Sequence, residues 1–118
     1  MIHLYGIPTC GSVRKGLAWM KAQQAEVTFH NFRQEGLSAD ELDRWLESVS
    51  PEILLNRRGQ TWRTVDEARR AAVKENPALI RDLLLEMPGL VKRPVIVFPQ
   101  GTVTVGVDEA LWEKALNG

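Results

Sequence analysis

Apolar residues along this chain change period several times, and each change predicts an element. Ile2 to Tyr5 is a short apolar run closed by Gly6 and Pro8, which reads as a buried strand. From Gly11 the period becomes helical: Val13, Leu17 and Met20 recur at i, i+4 and i+7, with Gln24 on the same line. Val27 to Phe32 alternates, Val27 and Phe29 against Thr28 and His30, and predicts a second strand. A strand–helix–strand unit of this length makes the two strands parallel neighbours.

A helical middle follows. Ser38 with Glu41 has the spacing of a capping box, and Leu42, Trp45, Leu46 and Val49 form the apolar face behind it. Ser50-Pro51-Glu52 restarts a short helical turn with Pro at its first position. Asn56-Arg57-Arg58-Gly59 is a polar, basic loop. Thr64 with Glu67 repeats the capping-box spacing and predicts a third helix to about Glu75, with Glu67, Arg69 and Arg70 as an exposed charged face. Asn76-Pro77 interrupts it and caps a fourth helix, whose apolar face is Ile80, Leu83, Leu84 and Met87 and which stops at Pro88-Gly89.

The pattern then returns to strands. Pro94 to Phe98 contains Val95, Ile96 and Val97 in a row, Pro99-Gln100-Gly101 is a turn, and Thr102 to Val105 is β-branched throughout and folds back as a hairpin. Asp108 caps a last helix with Leu111, Trp112, Ala115 and Leu116 facing inward. The order βαβ, helices, ββα is that of an α/β, thioredoxin-like fold with a helical insertion at about 36–90. The 118 residues are expected to form one domain. A chain of this length buries roughly 65% of its unfolded surface, enough to fold without metals or disulfides.

Charge and cysteine usage narrow the function. Fifteen Lys+Arg balance fifteen Asp+Glu, which disfavours nucleic-acid binding by bulk electrostatics. No apolar run approaches the ~18 residues of a membrane span, and the N-terminus lacks the pattern of a signal peptide, so a cytoplasmic, membrane-free protein is expected. One cysteine, Cys10, excludes an internal disulfide, and one Cys with two His disfavours a structural metal site. Cys10 stands between a strand and a helix start, where unpaired N–H groups and the helix dipole favour thiolate over thiol. Gly11 and Ser12 are small enough to let an anion approach the backbone, and Arg14 and Lys15 add positive charge in the first turns. A buried, inert thiol is the alternative.

The segment Tyr5-Gly6-Ile7-Pro8-Thr9-Cys10-Gly11-Ser12-Val13-Arg14-Lys15-Gly16 resembles the active-site segment of the glutaredoxin-linked arsenate reductase (ArsC/Spx) family. Leu54-Leu55-Asn56-Arg57-Arg58-Gly59-Gln60-Thr61-Trp62-Arg63 and Lys92-Arg93-Pro94 resemble its later blocks, in the same order, and the nearest subgroup is the small YffB-like proteins, read as glutathione-dependent thiol reductases. The resemblance implies that Cys10 is the nucleophile, that Arg93 binds the anionic substrate and that Pro94 follows a cis peptide bond. It also implies three arginines around arsenate. Arg93 matches one; Asn56 stands at another, with Arg57 and Arg58 immediately after; the third falls near Val105-Gly106, where there is none. Arsenate reduction is therefore not expected. Spx-type regulators usually carry a Cys-x-x-Cys pair, and Val13 stands where the second cysteine would be.

The expected activity is thus a single-cysteine thiol reductase with no tightly bound cofactor. Its partners would be a small oxidised or thiol-bearing substrate and glutathione as co-substrate, or glutaredoxin. An external thiol must resolve the adduct, since the chain has no second cysteine. Arg14, Arg57, Arg58 and Arg93 are the candidate clamps for glutathione carboxylates. The competing reading is a Spx-like regulator that binds RNA polymerase or another protein, with Cys10 incidental. His3 and His30 are read as structural, Trp19, Trp45 and Trp112 as core and Trp62 as the exception; a monomer is expected.

Overall fold

The computed structural model describes all 118 residues. By contacts the chain divides into two compact units. The first joins Met1–Gly36 to Arg93–Gly118, and the second is Leu37–Lys92.

The first unit is built on a four-stranded sheet. Strands β1 (Ile2–Gly6), β2 (Val27–Asn31), β3 (Val95–Val97) and β4 (Val103–Val105) lie in the order β2-β1-β3-β4. Strands β1 and β2 run parallel, joined by helix α1 (Gly11–Ala22), and β3 runs antiparallel to both β1 and β4. With the last helix, α8 (Glu109–Asn117), this is a thioredoxin-like α/β fold. Period-2 alternation decides which side chains leave each face. Ile2 and Leu4 of β1 and Ile96 of β3 join Val13 and Met20 of α1, Trp112 and Ala115 of α8, and Phe98 in one core. Cys10, Leu17 and Trp19 pack on its edge, with Trp19 against Trp112 at 5.5 Å between ring centroids.

The second unit is helical. It contains α3 (Ala39–Ser48), α4 (Pro51–Leu54), α5 (Gln60–Thr64), α6 (Glu67–Glu75) and α7 (Ile80–Glu86), with single 3₁₀ turns at Pro77–Leu79 and Pro88–Leu90. Helix α2 (Phe32–Glu35) belongs to the first unit. Leu42, Trp45, Leu54, Ile80, Leu83, Leu84 and Leu90 are fully buried. The Ser38 hydroxyl accepts from the Glu41 N–H and donates to its carboxylate, so the capping box closes as the spacing predicts. Arg81 grips Asp43 through Nε and Nη2, at 2.6 and 3.1 Å, joining α7 to α3.

Several details differ from the sequence expectation. The helix expected from Thr64 starts instead at Glu67, behind a separate short helix, α5, that the sequence reading did not predict. Thr64 ends α5, its hydroxyl donating to the Thr61 carbonyl at 2.6 Å, and Val65 is extended. Asp66 is the true cap of α6, accepting from the Arg69 N–H at 2.8 Å; an aspartate acceptor outcompetes a hydroxyl already engaged behind it. Arg69 and Arg70 are half-buried, with Arg69 paired to Glu86, so they do not form an open charged face. Gln24 lies beyond the end of α1, at φ 58°, and the second strand stops at Asn31, whose side chain caps α2. Leu111 is 48% exposed, because α8 turns only Trp112 and Ala115 fully inward.

Candidate active site

Register brings the two ends of the site together. Tyr5 pairs with Val95 and Leu4 with Ile96, so the C-terminal end of β1 lies beside the N-terminal end of β3. The Cys10 turn leaves from the first of these ends, and Arg93-Pro94 enters at the second. The Arg93–Pro94 peptide is cis. Helix α1 closes over this junction at Gly16, where a Cβ would stand 3.3 Å from Leu4 Cδ1 and 3.4 Å from Pro94 Cγ. Only glycine permits so close an approach without displacing a neighbour.

Cys10 is the N-cap residue of α1. Its backbone is extended, its N–H donates to the Ile7 carbonyl at 3.2 Å, and its carbonyl accepts the Arg14 N–H at 3.0 Å. The Ser12 and Val13 N–H groups are therefore among the orphan donors of the first turn. As a neutral thiol, Cys10 does not cap the helix by a hydrogen bond. As a thiolate it has much to gain there. Partial burial pushes the thiol pKa up. The Val13 and Ser12 N–H groups, then the hydrogen bond and charge of the Arg93 guanidinium, push it down and prevail. The net result lies below the ordinary cysteine value.

The other sequence candidates divide between the two units. Gly11 opens α1 with open space where a Cβ would project, and half-buried Ser12 contributes its N–H. Arg14 is exposed and turns back to the Pro8 carbonyl, with Nε donating at 3.0 Å; it is not among the groups that lower the Cys10 pKa. Arg57 and Arg58 belong to the second unit. There they line a pocket of about 300 Å³ with Leu55, Asn56 and Lys92, and the Asn56 side chain accepts from the Arg58 N–H at 3.0 Å. Lys92 is a basic residue of that pocket that sequence reasoning missed; the bridge between Leu55 and Val91 brings it there. Gly106 has φ 80° and donates its N–H to the Pro94 carbonyl. A left-handed backbone favours a residue without Cβ, so glycine fits the position that bonds to Pro94.

Histidine plays no part in this arrangement. His3 Nδ1 meets His30 Nε2 at 2.8 Å, His30 Nδ1 meets Glu35 Oε1 at 3.2 Å, and Tyr5 stacks on the His30 ring at 4.4 Å. Alternation along β1 sends His3 and Tyr5 to the sheet face opposite Leu4. The hydrogen bond from His30, then the Asn31 N–H, lowers the Glu35 pKa. Trp45 and Trp112 are core, Trp19 is half-buried on the core edge, and Trp62 is half-buried on α5.

Comparison with known proteins agrees over the whole length. The model of the ArsC family matches residues 5–115. A solved structure described as the YffB protein superposes with a TM-score of 0.90 at 31% identity, covering 98% of this chain and 99% of that one. An arsenate reductase related protein from Brucella melitensis superposes with a TM-score of 0.73 at 38% identity, over 98% and 93%. The global transcriptional regulator Spx of Bacillus subtilis is 31% identical over 113 residues, 92% of this chain and 82% of its own length. No helix is long and apolar enough to cross a membrane. The family match spans both the Cys10 turn and the Arg93–Pro94 junction, and the chain belongs to the ArsC family.

Proposed function

We propose that the protein is a single-cysteine thiol reductase resolved by an external thiol, either glutathione or the thiol of a glutaredoxin. The observation that carries this reading is the Cys10 sulfur at the N-terminus of α1, with the Ser12 and Val13 N–H groups and the Arg93 guanidinium all favouring its thiolate. A thiolate is the attacking species in disulfide exchange. Cys10 attacks one sulfur of a substrate disulfide; the S–S bond breaks, the departing thiolate takes a proton from water, and a mixed disulfide remains on Cys10. A first external thiolate attacks the mixed disulfide and releases Cys10. A second reduces the external mixed disulfide, so two external thiols supply the two electrons that the substrate gains. Arg93 holds a carboxylate of the substrate or of glutathione by charge-assisted hydrogen bonds, a stronger class than neutral ones. Arg14, in the same unit as Cys10, is a further candidate clamp. Arsenate is not the substrate assigned, since the turn at Gly106 supplies no third arginine.

The test is turnover of bis(2-hydroxyethyl) disulfide with glutathione, glutathione reductase and NADPH. Activity that needs Cys10 and falls in Arg93→Ala supports the assignment; turnover equal to that of Cys10→Ser ends it. Similarity to Spx favours a second reading, a regulator that works by binding a protein such as RNA polymerase, with Cys10 incidental. That reading requires no activated thiol, so iodoacetamide alkylation with a midpoint at or above the free value of about 8.5 would favour it.

A further inference from the structure

Carboxylates neutralise arginines elsewhere in the helical unit: Arg69 pairs with Glu86, and Arg81 with Asp43 and Asp82. The pocket of about 300 Å³ bounded by Leu55, Asn56, Arg57, Arg58 and Lys92 is the opposite case. No acidic side chain lines it, and neither residues 53–65 nor residues 87–92 include one. Arg57, Arg58 and Lys92 are exposed and form no ion pair. Asn56 Oδ1 accepts the Arg58 N–H at 3.0 Å, which leaves the side-chain NH2 as a donor. The cavity is thus surrounded by donors and positive charge, and the one side-chain acceptor among them is turned to the chain's own backbone. Backbone pairing holds this arrangement. The Asn56 N–H donates to the Leu90 carbonyl at 2.8 Å and the Lys92 N–H to the Leu54 carbonyl at 2.7 Å, around the Leu55–Val91 bridge. Like charges gathered about one cavity repel each other, and a bound anion relieves that repulsion.

We propose that this pocket binds a small phosphorylated anion. A carboxylate brings one negative charge, whereas a phosphate monoester brings nearly two at pH 7, on three acceptor oxygens. That charge matches the three cations better. Arg57 and Arg58 present planar forks that fit phosphate oxygens in pairs, Lys92 adds a point charge, and the Asn56 NH2 adds a neutral donor. A volume of about 300 Å³ is at the small end of ligand pockets, so it suits a phosphate or diphosphate group with a small organic part. A polynucleotide fits less well, because it needs a broad basic face and the charges of this chain balance. The pocket lies within the helical unit and uses neither Cys10 nor Arg93, so this binding is additional to the thiol chemistry.

The experiment is an amide NMR titration of the full chain with orthophosphate and with pyrophosphate, at a constant ionic strength of about 0.15 M set with sodium chloride. The Arg57, Arg58, Gly59 and Lys92 amides should shift saturably, with pyrophosphate binding tighter than orthophosphate and a Kd on the order of 1 mM. Arg57→Gln, Arg58→Gln and Lys92→Gln, all at exposed and unpaired positions, should each weaken binding about three- to fivefold, the scale of an exposed ion pair. Arg58→Lys keeps the charge without the fork and should fall between wild type and Arg58→Gln. The triple Gln variant should show no saturable shift, with its remaining amide spectrum intact. Shifts that persist unweakened in the triple variant overturn the proposal, because the anion then binds elsewhere. So does the absence of saturation up to about 20 mM pyrophosphate, a concentration well above the expected Kd. Glutathione that saturates the same amides at lower concentration than pyrophosphate also overturns it, assigning the pocket to carboxylates. Turnover of bis(2-hydroxyethyl) disulfide reads Cys10 separately, so a failed titration leaves the thiol reductase reading standing, and failed turnover leaves the phosphate site standing.

Discussion

Both units carry local side-chain caps, but the contacts that build the Cys10 site are not of that kind. In the helical unit, short side chains tie the backbone locally: Ser38, Asn56, Asp66 and Asn76 each accept an N–H two or three residues ahead. In the sheet unit the decisive polar contacts span long stretches of chain. Arg93 reaches Cys10, and Gly106 reaches Pro94, because strand register places them there. The helical unit therefore advertises its structure in sequence spacing, whereas the sheet unit places its chemistry through pairing. The contrast also predicts that a change in one unit reads out differently from a change in the other.

The sharpest break concerns the thiol itself. Cys10→Ser should abolish alkylation by iodoacetamide and all disulfide exchange while leaving the fold intact, as circular dichroism would show. The same variant tests the pH linkage. The folded thiol ionises below its ordinary value, so the folded state holds fewer protons than the unfolded chain. The stability this group adds is fully present above the unfolded value of about 8.5 and is lost as pH falls through the lowered folded value. Denaturant melts should show wild type gaining on Cys10→Ser as pH rises across that window; a gap that is flat or widens toward acid would contradict the shift.

Next in size is the core of each unit. Trp112 and Trp45 are both essentially solvent-free, and truncation of either to Ala should cost about 3–5 kcal/mol in urea unfolding. Trp112→Ala should also disturb the Cys10 alkylation profile, because Trp112 and Cys10 belong to one packed cluster.

Arg93→Ala should raise the Cys10 pKa and weaken glutathione binding with the fold unchanged. Arg93→Lys should restore part of the thiolate effect and less of the binding, since lysine lacks the planar fork. Alkylation–pH curves and glutathione titrations of the three proteins measure both, and an unaltered Arg93→Ala would remove Arg93 from the site. The smallest effect distinguishes the two caps near α6. Asp66→Ala should cost about 1 kcal/mol of stability, and Thr64→Ala less, because Asp66 alone accepts from the helix N–H. Equal costs would reinstate Thr64 as the cap.

How far the sequence could be read follows from the same contrast. The period changes that predicted β1, α1, β3 and α8 are local consequences of apolar spacing, and each element formed. Helix α2 went unread because four residues are too few to show a period, and Thr64 was misread because two adjacent residues could each cap and only the fold chose Asp66. Gln24 shares the apolar line of α1 but not its backbone; the line extends past the last helical hydrogen bond.

For the site, the sequence alone determined that the single thiol sits at a helix N-terminus, because the strand, the Pro-Thr-Cys turn and the helical period are all local. It also determined that Cys10 is the single cysteine of this chain. Only the tertiary structure decided which cation serves that thiol. Arg14, close in sequence, is bound back to Pro8, while Arg93, remote in sequence, lies beside the sulfur. Sequence spacing fixes distance only along a helix or a strand; between elements, distance is set by the register of β1 on β3, which is decided by burying Leu4 and Ile96 on one face.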